Sequence, residues 1–284
     1  MKKLLFIFCL SVLLFSCDDG DIIVTSFDFQ DEDLETCGEA GGYVFFKINN
    51  DALESISLRL GTSNELFLAS STVSYTLNGT SNFVNYRKYE GDITDDYFCN
   101  NIPPTAPLVA IDYLGASGIA TLVTTTTLDD NDNIEETDLS LDTDEDGIPN
   151  YYDFDDDGDN VPTTAELGSD PLNPRDTDND GIPDYLDTDD DNDLILTINE
   201  DADGNLDPTN DTTDGIANYL NSAVSSENVI KMYREHSYSL SSDIQLQISN
   251  LVLTSPNEQI SQEFVNFGEK VNVLVGSVTV TPSF

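Results

Sequence analysis

Short stretches of alternating apolar and polar residues run through the first half of the chain. They occupy Tyr43–Ile48, Ile56–Leu60, Val73–Leu77, Phe83–Arg87, Leu108–Tyr113 and Gly118–Thr124, and turn formers such as Asn49-Asn-Asp, Gly61-Thr-Ser-Asn and Asn78-Gly-Thr separate them. A period of two puts successive side chains on opposite faces, so each stretch reads as a strand with one buried side. Residues 21–29 are a candidate first strand. The alternation returns at Ile244–Ile248, Leu251–Leu253, Val271–Val275 and Val278–Val280, with Val229–Met232 as a candidate opening strand.

Many short strands without helical periodicity predict a mainly β fold, an antiparallel β-sandwich. Residues 31–128 suffice for one such core. Residues 222–284 make a thin core by themselves. They are expected to complete the N-terminal sandwich, with residues 129–221 as a long excursion. A separate small β domain is the alternative, and the alternation does not choose between them.

The excursion has a different pattern. Gly147, Gly181 and Gly215 are each 34 residues apart, and Glu166 and Glu200 keep the same interval. A fixed period marks a repeat array. Each repeat holds acidic loops of twelve residues. In the first, Asp142, Asp144 and Asp146 take positions 1, 3 and 5, Gly147 position 6, Asn150 position 9 and Asp153 position 12. The second has Asp155, Asp157, Asp159, Thr163 and Glu166. The third has Asp176, Asp178, Asp180, Asp184 and Asp187. The fourth has Asp189, Asp191, Asp193, Thr197 and Glu200. Position 7 offers a backbone carbonyl from Ile148, Val161, Ile182 or Ile195. Calcium takes six to eight oxygens, alternate residues of a tight turn aim carboxylates inward, and glycine permits the bend. Asn160 stands at the second sharp turn, which Asn tolerates. Leu194 at the fourth is a poorer fit. A fifth loop, built on Asn210, Thr212, Asp214, Gly215, Asn218 and Asn221, has lost most of its charge and is expected to bind weakly or to cap the array. Asp201–Asn205 is a further partial site.

These loops resemble thrombospondin type 3 repeats and, more loosely, the EF-hand loops of dockerins, over about 80 of 284 residues. The resemblance implies a chain wrapped around several calcium ions, about four or more, with little hydrophobic core. It also implies that Asp153 and Asp187 are shared between neighbouring ions. Pro149, Pro162 and Pro183 argue against a helix running straight out of each loop. An acidic disordered linker would not require glycine and Ile-Pro at a constant offset.

Residues 1–16 read as a secretory signal, with Lys2 and Lys3 before an apolar run too short to span a membrane comfortably. Leu14-Phe15-Ser16-Cys17 resembles a bacterial lipobox, which implies lipidation of Cys17 and a tether over 17–30, although Phe15 departs from the usual pattern. Asp18, Asp19 and Asp21 resemble the acidic tag that carries some Gram-negative lipoproteins to the outer face of the outer membrane. The expected location is therefore the outer membrane, exposed on the cell surface. With Cys9 in the leader and Cys17 lipidated, Cys37 and Cys99 have one possible pairing, a disulfide in an oxidising compartment.

The formal charge is −45. Between Asp129 and Asn221 there are 32 acidic residues and one cation, Arg175. Such a segment repels itself unless something positive neutralises it, and its sign excludes nucleic acid as a partner. Catalytic motifs are missing. The one histidine, His236, has no HExxH context, Gly115-Ala-Ser-Gly118 is not a hydrolase elbow, and no phosphate-binding loop occurs, so the chain reads as a non-enzyme. His236 reads as an ordinary strand or loop residue. The expected function is a calcium-binding structural or adhesive surface lipoprotein. The alternative is a glycan- or protein-binding module in which Tyr75, Tyr86, Tyr89, Tyr97 and Phe98 form an aromatic platform. Exposure of Tyr86, Tyr89 and Tyr97 on one face would favour binding, and their burial would favour a scaffold role instead.

Overall fold

The computed structural model describes residues 29–170 and 172–284. The expected leader, Cys17 and residues 21–28 of the candidate first strand lie outside the described residues. Strands β1 (Glu35–Cys37), β2 (Tyr43–Asn49), β3 (Glu54–Leu60), β4 (Ser71–Thr76), β5 (Phe83–Tyr89) and β6 (Val109–Asp129) precede the acidic array. A two-stranded ribbon, β7 (Thr212–Thr213) and β8 (Ile216–Ala217), lies within it, and β9 (His236–Thr254) and β10 (Gln259–Val280) follow it. Apart from the ribbon, all strands join one antiparallel sheet in the order β1-β2-β3-β5-β6-β9-β10, with β4 also paired to β6. The fold is mainly β. Instead of two separate layers, one continuous sheet curls nearly closed into a barrel-like shape. The segment before β1 and the strand β10 line a cavity of about 790 Å³ together with Lys47, Ile56 and Gln245, and the end strands β1 and β10 are joined by the Lys270–Glu35 ion pair at 2.8 Å.

Three strands are longer than the alternation predicts, because β-bulges break its parity. On β6 the buried positions are Tyr113 and Gly115 and then Ala120, Leu122 and Thr124, with register shifts on either side of Ser117. On β9 they run from His236 through Ile248 at even numbers, then move to Leu251 and Leu253, just past Asn250 at φ 52°. Each bulge transfers the inward face to the other parity, so one strand reads as two runs. Gly115 sits where the core closes tightest. A β-carbon there would lie 2.8 Å from Leu251 Cδ1 and 3.0 Å from Val84 Cβ.

The core gathers Phe45, Leu58, Tyr86, Tyr113, Leu246 and Phe267, all essentially inaccessible. Cys37 and Cys99 form a disulfide with a Cα–Cα distance of 5.7 Å. It ties β1 to a one-turn helix, α1 (Asp96–Cys99), whose Phe98 ring stacks on Phe46 at 4.3 Å. Closing that long loop contributes about 2–4 kcal/mol.

Residues 130–235 connect β6 to β9, and these are neighbours in one ladder whose outermost rung pairs Asp129 with Ser239. None of the described residues of this segment joins the main core cluster. Val229–Met232 forms no strand. Its polar groups are committed elsewhere: Ile230 N–H donates to Asn199 Oδ1 at 3.0 Å, and Met232 C=O accepts from Asn160 Nδ2 at 3.1 Å.

Leu246→Ala should destabilise the sheet by about 2–5 kcal/mol in urea unfolding, while Ile119→Ala, half exposed on β6, should cost less than about 1 kcal/mol. Equal costs would contradict this placement of the core.

Candidate metal centre

The four acidic loops are built alike. The backbone N–H at position 6 donates to the position-1 carboxylate: Gly147 to Asp142 at 3.2 Å, Asn160 to Asp155 at 2.8 Å, Gly181 to Asp176 at 3.1 Å and Leu194 to Asp189 at 3.1 Å. The position-7 N–H donates to position 5: Ile148 to Asp146, Val161 to Asp159, Ile182 to Asp180 and Ile195 to Asp193, at 2.7–2.8 Å. One oxygen of each such carboxylate is thereby fixed and the other is turned away from the bond. Asp142 Oδ1, Asp144 Oδ2, Asp146 Oδ2, Asp159 Oδ2, Asp176 Oδ1, Asp189 Oδ1, Asp191 Oδ2 and Asp193 Oδ2 are buried without a hydrogen-bond partner, as are both oxygens of Asp157. Buried polar atoms without partners are rare in folded proteins.

The sharp turn at position 6 has positive φ in every loop: 98° at Gly147 and Gly181, 72° at Asn160 and 78° at Leu194. Position 9 departs from the expected ligand role. Asn150, Thr163, Asp184 and Thr197 each accept the backbone N–H of position 2, from Thr143 (3.0 Å), Asp156 (3.1 Å), Thr177 (2.7 Å) and Asp190 (3.3 Å). Asp184 also pairs with Arg175. These side chains close their loops. After the proline or leucine at position 8 comes a single helical turn: Asn150–Tyr152, α2 (Thr163–Glu166), Asp184–Leu186 or Thr197–Glu200. It leads to the position-12 acids Asp153, Glu166, Asp187 and Glu200, of which all but Asp187 are buried.

Several groups converge closely enough to share one ion. Ligand atoms of Asp142, Asp144 and Asp146 lie within 4.8 Å of one another, as do those of Asp176, Asp178 and Asp180, and those of Asp157, Asp159, Glu166 and Asp190. Asp190 was not among the residues the loop register selects. It stands at position 2 of loop 4 and reaches back to loop 2, close enough to Asp157, Asp159 and Glu166 to share one ion with them. Burial first, and then neighbouring carboxylates, raise the acids: Asp191 to about 6, Asp144 to about 7, Glu200 to about 8 and Asp190 to about 9. Asp155, Asp157, Asp159 and Glu166 are pushed well above the usual range for the same reasons.

His236 was also underread. It opens β9 fully buried, with Nδ1 2.7 Å from Asp153 Oδ1 and Nε2 4.0 Å from Asp155 Oδ2. The contact is an ion pair when the imidazole is protonated. Burial lowers the imidazole pKa, but Asp153 and Asp155 outweigh it and the net shift is upward. Arg234 fastens loop 2 as well, through N–H to Asn160 Oδ1 at 2.8 Å and its guanidinium over Phe154 at 5.3 Å.

The fifth loop is different. Asp214, at φ 54°, lies exposed at the turn of the β7–β8 ribbon. Asp201 makes the cradle bond instead, accepting Leu206 N–H at 2.7 Å. The candidate aromatic platform is dismantled, since Tyr86 and Tyr89 are buried and Tyr97 packs edge-on against Tyr89 at 5.3 Å.

No family model matches the chain, and no curated protein or solved structure matches it.

Leu194 is an apolar residue held left-handed, a strain of about 1–2 kcal/mol. Leu194→Gly should therefore stabilise loop 4 and lower the cation concentration that protects it from proteolysis, whereas Gly147→Leu should raise it for loop 1. Opposite shifts would refute the shared turn geometry.

Proposed function

We propose that residues 142–200 bind several calcium ions, about four or more, as structural ligands, and that these ions order an acidic segment carried by the β fold. The observation that carries this reading is the set of buried, unpartnered carboxylate oxygens in four like-built loops. The donors are hard oxygens from carboxylates and position-7 carbonyls, the set that suits calcium rather than softer metals. Ions placed there would neutralise the facing carboxylates and supply the contacts that a hydrophobic core supplies elsewhere. The likeness to thrombospondin type 3 repeats belongs to the same reading.

The wider role follows from the leader and the charge. A lipid on Cys17 would hold the chain at the outer membrane, facing a medium where calcium is about 10⁻⁴–10⁻³ M, the working range of extracellular calcium modules. The protein is thus read as a structural or adhesive surface lipoprotein with a calcium-ordered spacer.

Limited proteolysis of residues 130–221 against calcium is the direct test. Protection should saturate with about four or more ions per chain. Asp144→Asn and Asp178→Asn should each raise the midpoint about ten- to a hundredfold, if losing the ligand's charge costs as much as losing a hydrogen bond to a charged group, about 1.5–3 kcal/mol. Unchanged midpoints in both variants would sink the assignment.

The raised carboxyl values also set a pH dependence. The ion-free folded loops hold protons that the unfolded chain releases, so without calcium their stability should fall as pH rises from about 4, the unfolded aspartate value, towards about 9. Calcium must displace those protons. Its apparent affinity should increase from pH 6 to pH 8, with proton uptake by the buffer visible in calorimetry, and a pH-independent affinity would contradict the buried-carboxylate cradle.

A further inference from the structure

The acidic lead-in between β6 and the first loop also carries a cluster. Asp132, Glu136 and Asp156 present ligand atoms within 4.8 Å of one another. Asp156 is 1% exposed and Asp132 4% exposed. Neither oxygen of Asp156 has a hydrogen-bond partner, and Asp130 Oδ2, Asp132 Oδ2 and Glu136 Oε1 are buried and unpartnered beside them. Asp156 cannot be a ligand of its own loop, because it stands at the even position 2 and its side chain faces away from Asp155 and Asp157, into the lead-in.

We propose that Asp130, Asp132, Glu136 and Asp156 form an additional divalent-cation site, calcium by its all-oxygen donors, which pins the array to the exit of β6.

Two further features support it. Asp156 and Asp190 are 34 residues apart and both stand at position 2 of their loops, and each turns to acids of an earlier segment, Asp156 to Asp132 and Glu136 and Asp190 to Asp157, Asp159 and Glu166. The lead-in also folds like a loop. Asp132 N–H donates to Asp130 Oδ1 at 3.0 Å and Ile134 N–H to Asp132 Oδ1 at 2.7 Å, the bonds that Asp146 and Ile148 make in loop 1. Asn133, at φ 74°, takes the place of Gly147. Burial and the surrounding acids raise Asp156 to about 9 and Asp130 to about 8, and Tyr185 from the third loop stands near enough for Asp156, Glu136 and Asp132 to raise its phenol after burial does. No cation from the chain is among the causes of any of these shifts. The site goes beyond the loops proposed above: three of its residues lie outside them, and the fourth, Asp156, is not in the ligand set of its own loop.

The site begins one residue past the last rung of the β6–β9 ladder, so an ion there would fix how the array leaves the sheet. The test uses the full chain saturated with about 1 mM calcium, with bound ions counted by elemental analysis after desalting and protease cleavage mapped in parallel. Glu136→Gln, and independently Asp132→Asn, should each lose one ion and open cleavage within 130–141 while residues 142–200 stay protected. Asp144→Asn, in loop 1, serves as the comparison for loss of an ion from the loops. A wild-type count retained in both lead-in variants overturns the site and leaves the loops standing. Loss of every ion in either variant overturns it as a separate site. A wild-type chain that binds no calcium overturns both this site and the function proposed for the loops.

Discussion

Carboxylates forced together away from water are the constraint on which the array depends. A buried acid keeps its charge only if something offsets the lost hydration, and here most neighbours are other carboxylates that add repulsion, against which His236 and Arg175 offer little. Backbone N–H groups meet one oxygen of most loop acids, which fixes their direction but leaves the facing oxygens unbalanced. Arg175, the one cation between Asp129 and Asn221, is engaged by Asp184 in closing a loop, and its charge offsets only part of what burial and the neighbouring acids do to Asp190. The segment therefore has two self-consistent states open to it: folded with protons or cations in the cradles, or expanded and hydrated. Apolar burial contributes little to the choice, since Val161, Leu167, Ile198 and Tyr219 are scattered contacts outside the main core cluster.

The sheet is held by opposite means. Its core is continuous and apolar, its long strands are locked in register by bulges, and a disulfide secures the short strand β1. The two parts meet at a narrow seam. Asp153 and Asp155 lie against His236 on β9, Tyr152 packs edge-on against Tyr238 at 4.9 Å, and the return segment before β9 is stitched to Asn160 and Asn199. These contacts give the loops a fixed base while leaving their outer faces to solvent.

Much of this was legible in the sequence, and the exceptions have physical reasons. The acidic loops announced themselves because their spacing repeats at 34 residues and the left-handed turn selects glycine or asparagine. Asp156 and Asp190 obey the same interval, yet they occupy even positions and become meaningful only once neighbouring loops are stacked. His236 carries no motif, since its partners are more than 80 residues away in the chain. Asn150, Thr163, Asp184 and Thr197 have oxygens of the right type, but a backbone N–H claims them. The strands were found by alternation and misjudged in length wherever a bulge reversed it, as at Ser117 and Asn250. Val229–Met232 has strand composition but not a strand's free hydrogen-bonding groups.

The array leaves the sheet from β6 one residue past the rung that pairs Asp129 with Ser239, and returns at the same end of that ladder on the neighbouring strand β9, which opens at His236. A segment tethered in this way does not lie in series between the parts of the chain that flank it. It is a side arm whose two feet stand together. Its swelling or contraction changes how far the arm reaches but leaves β6 and β9 where they are. Tension transmitted along the sheet bypasses it, so the arm is free to change length without placing the barrel under load.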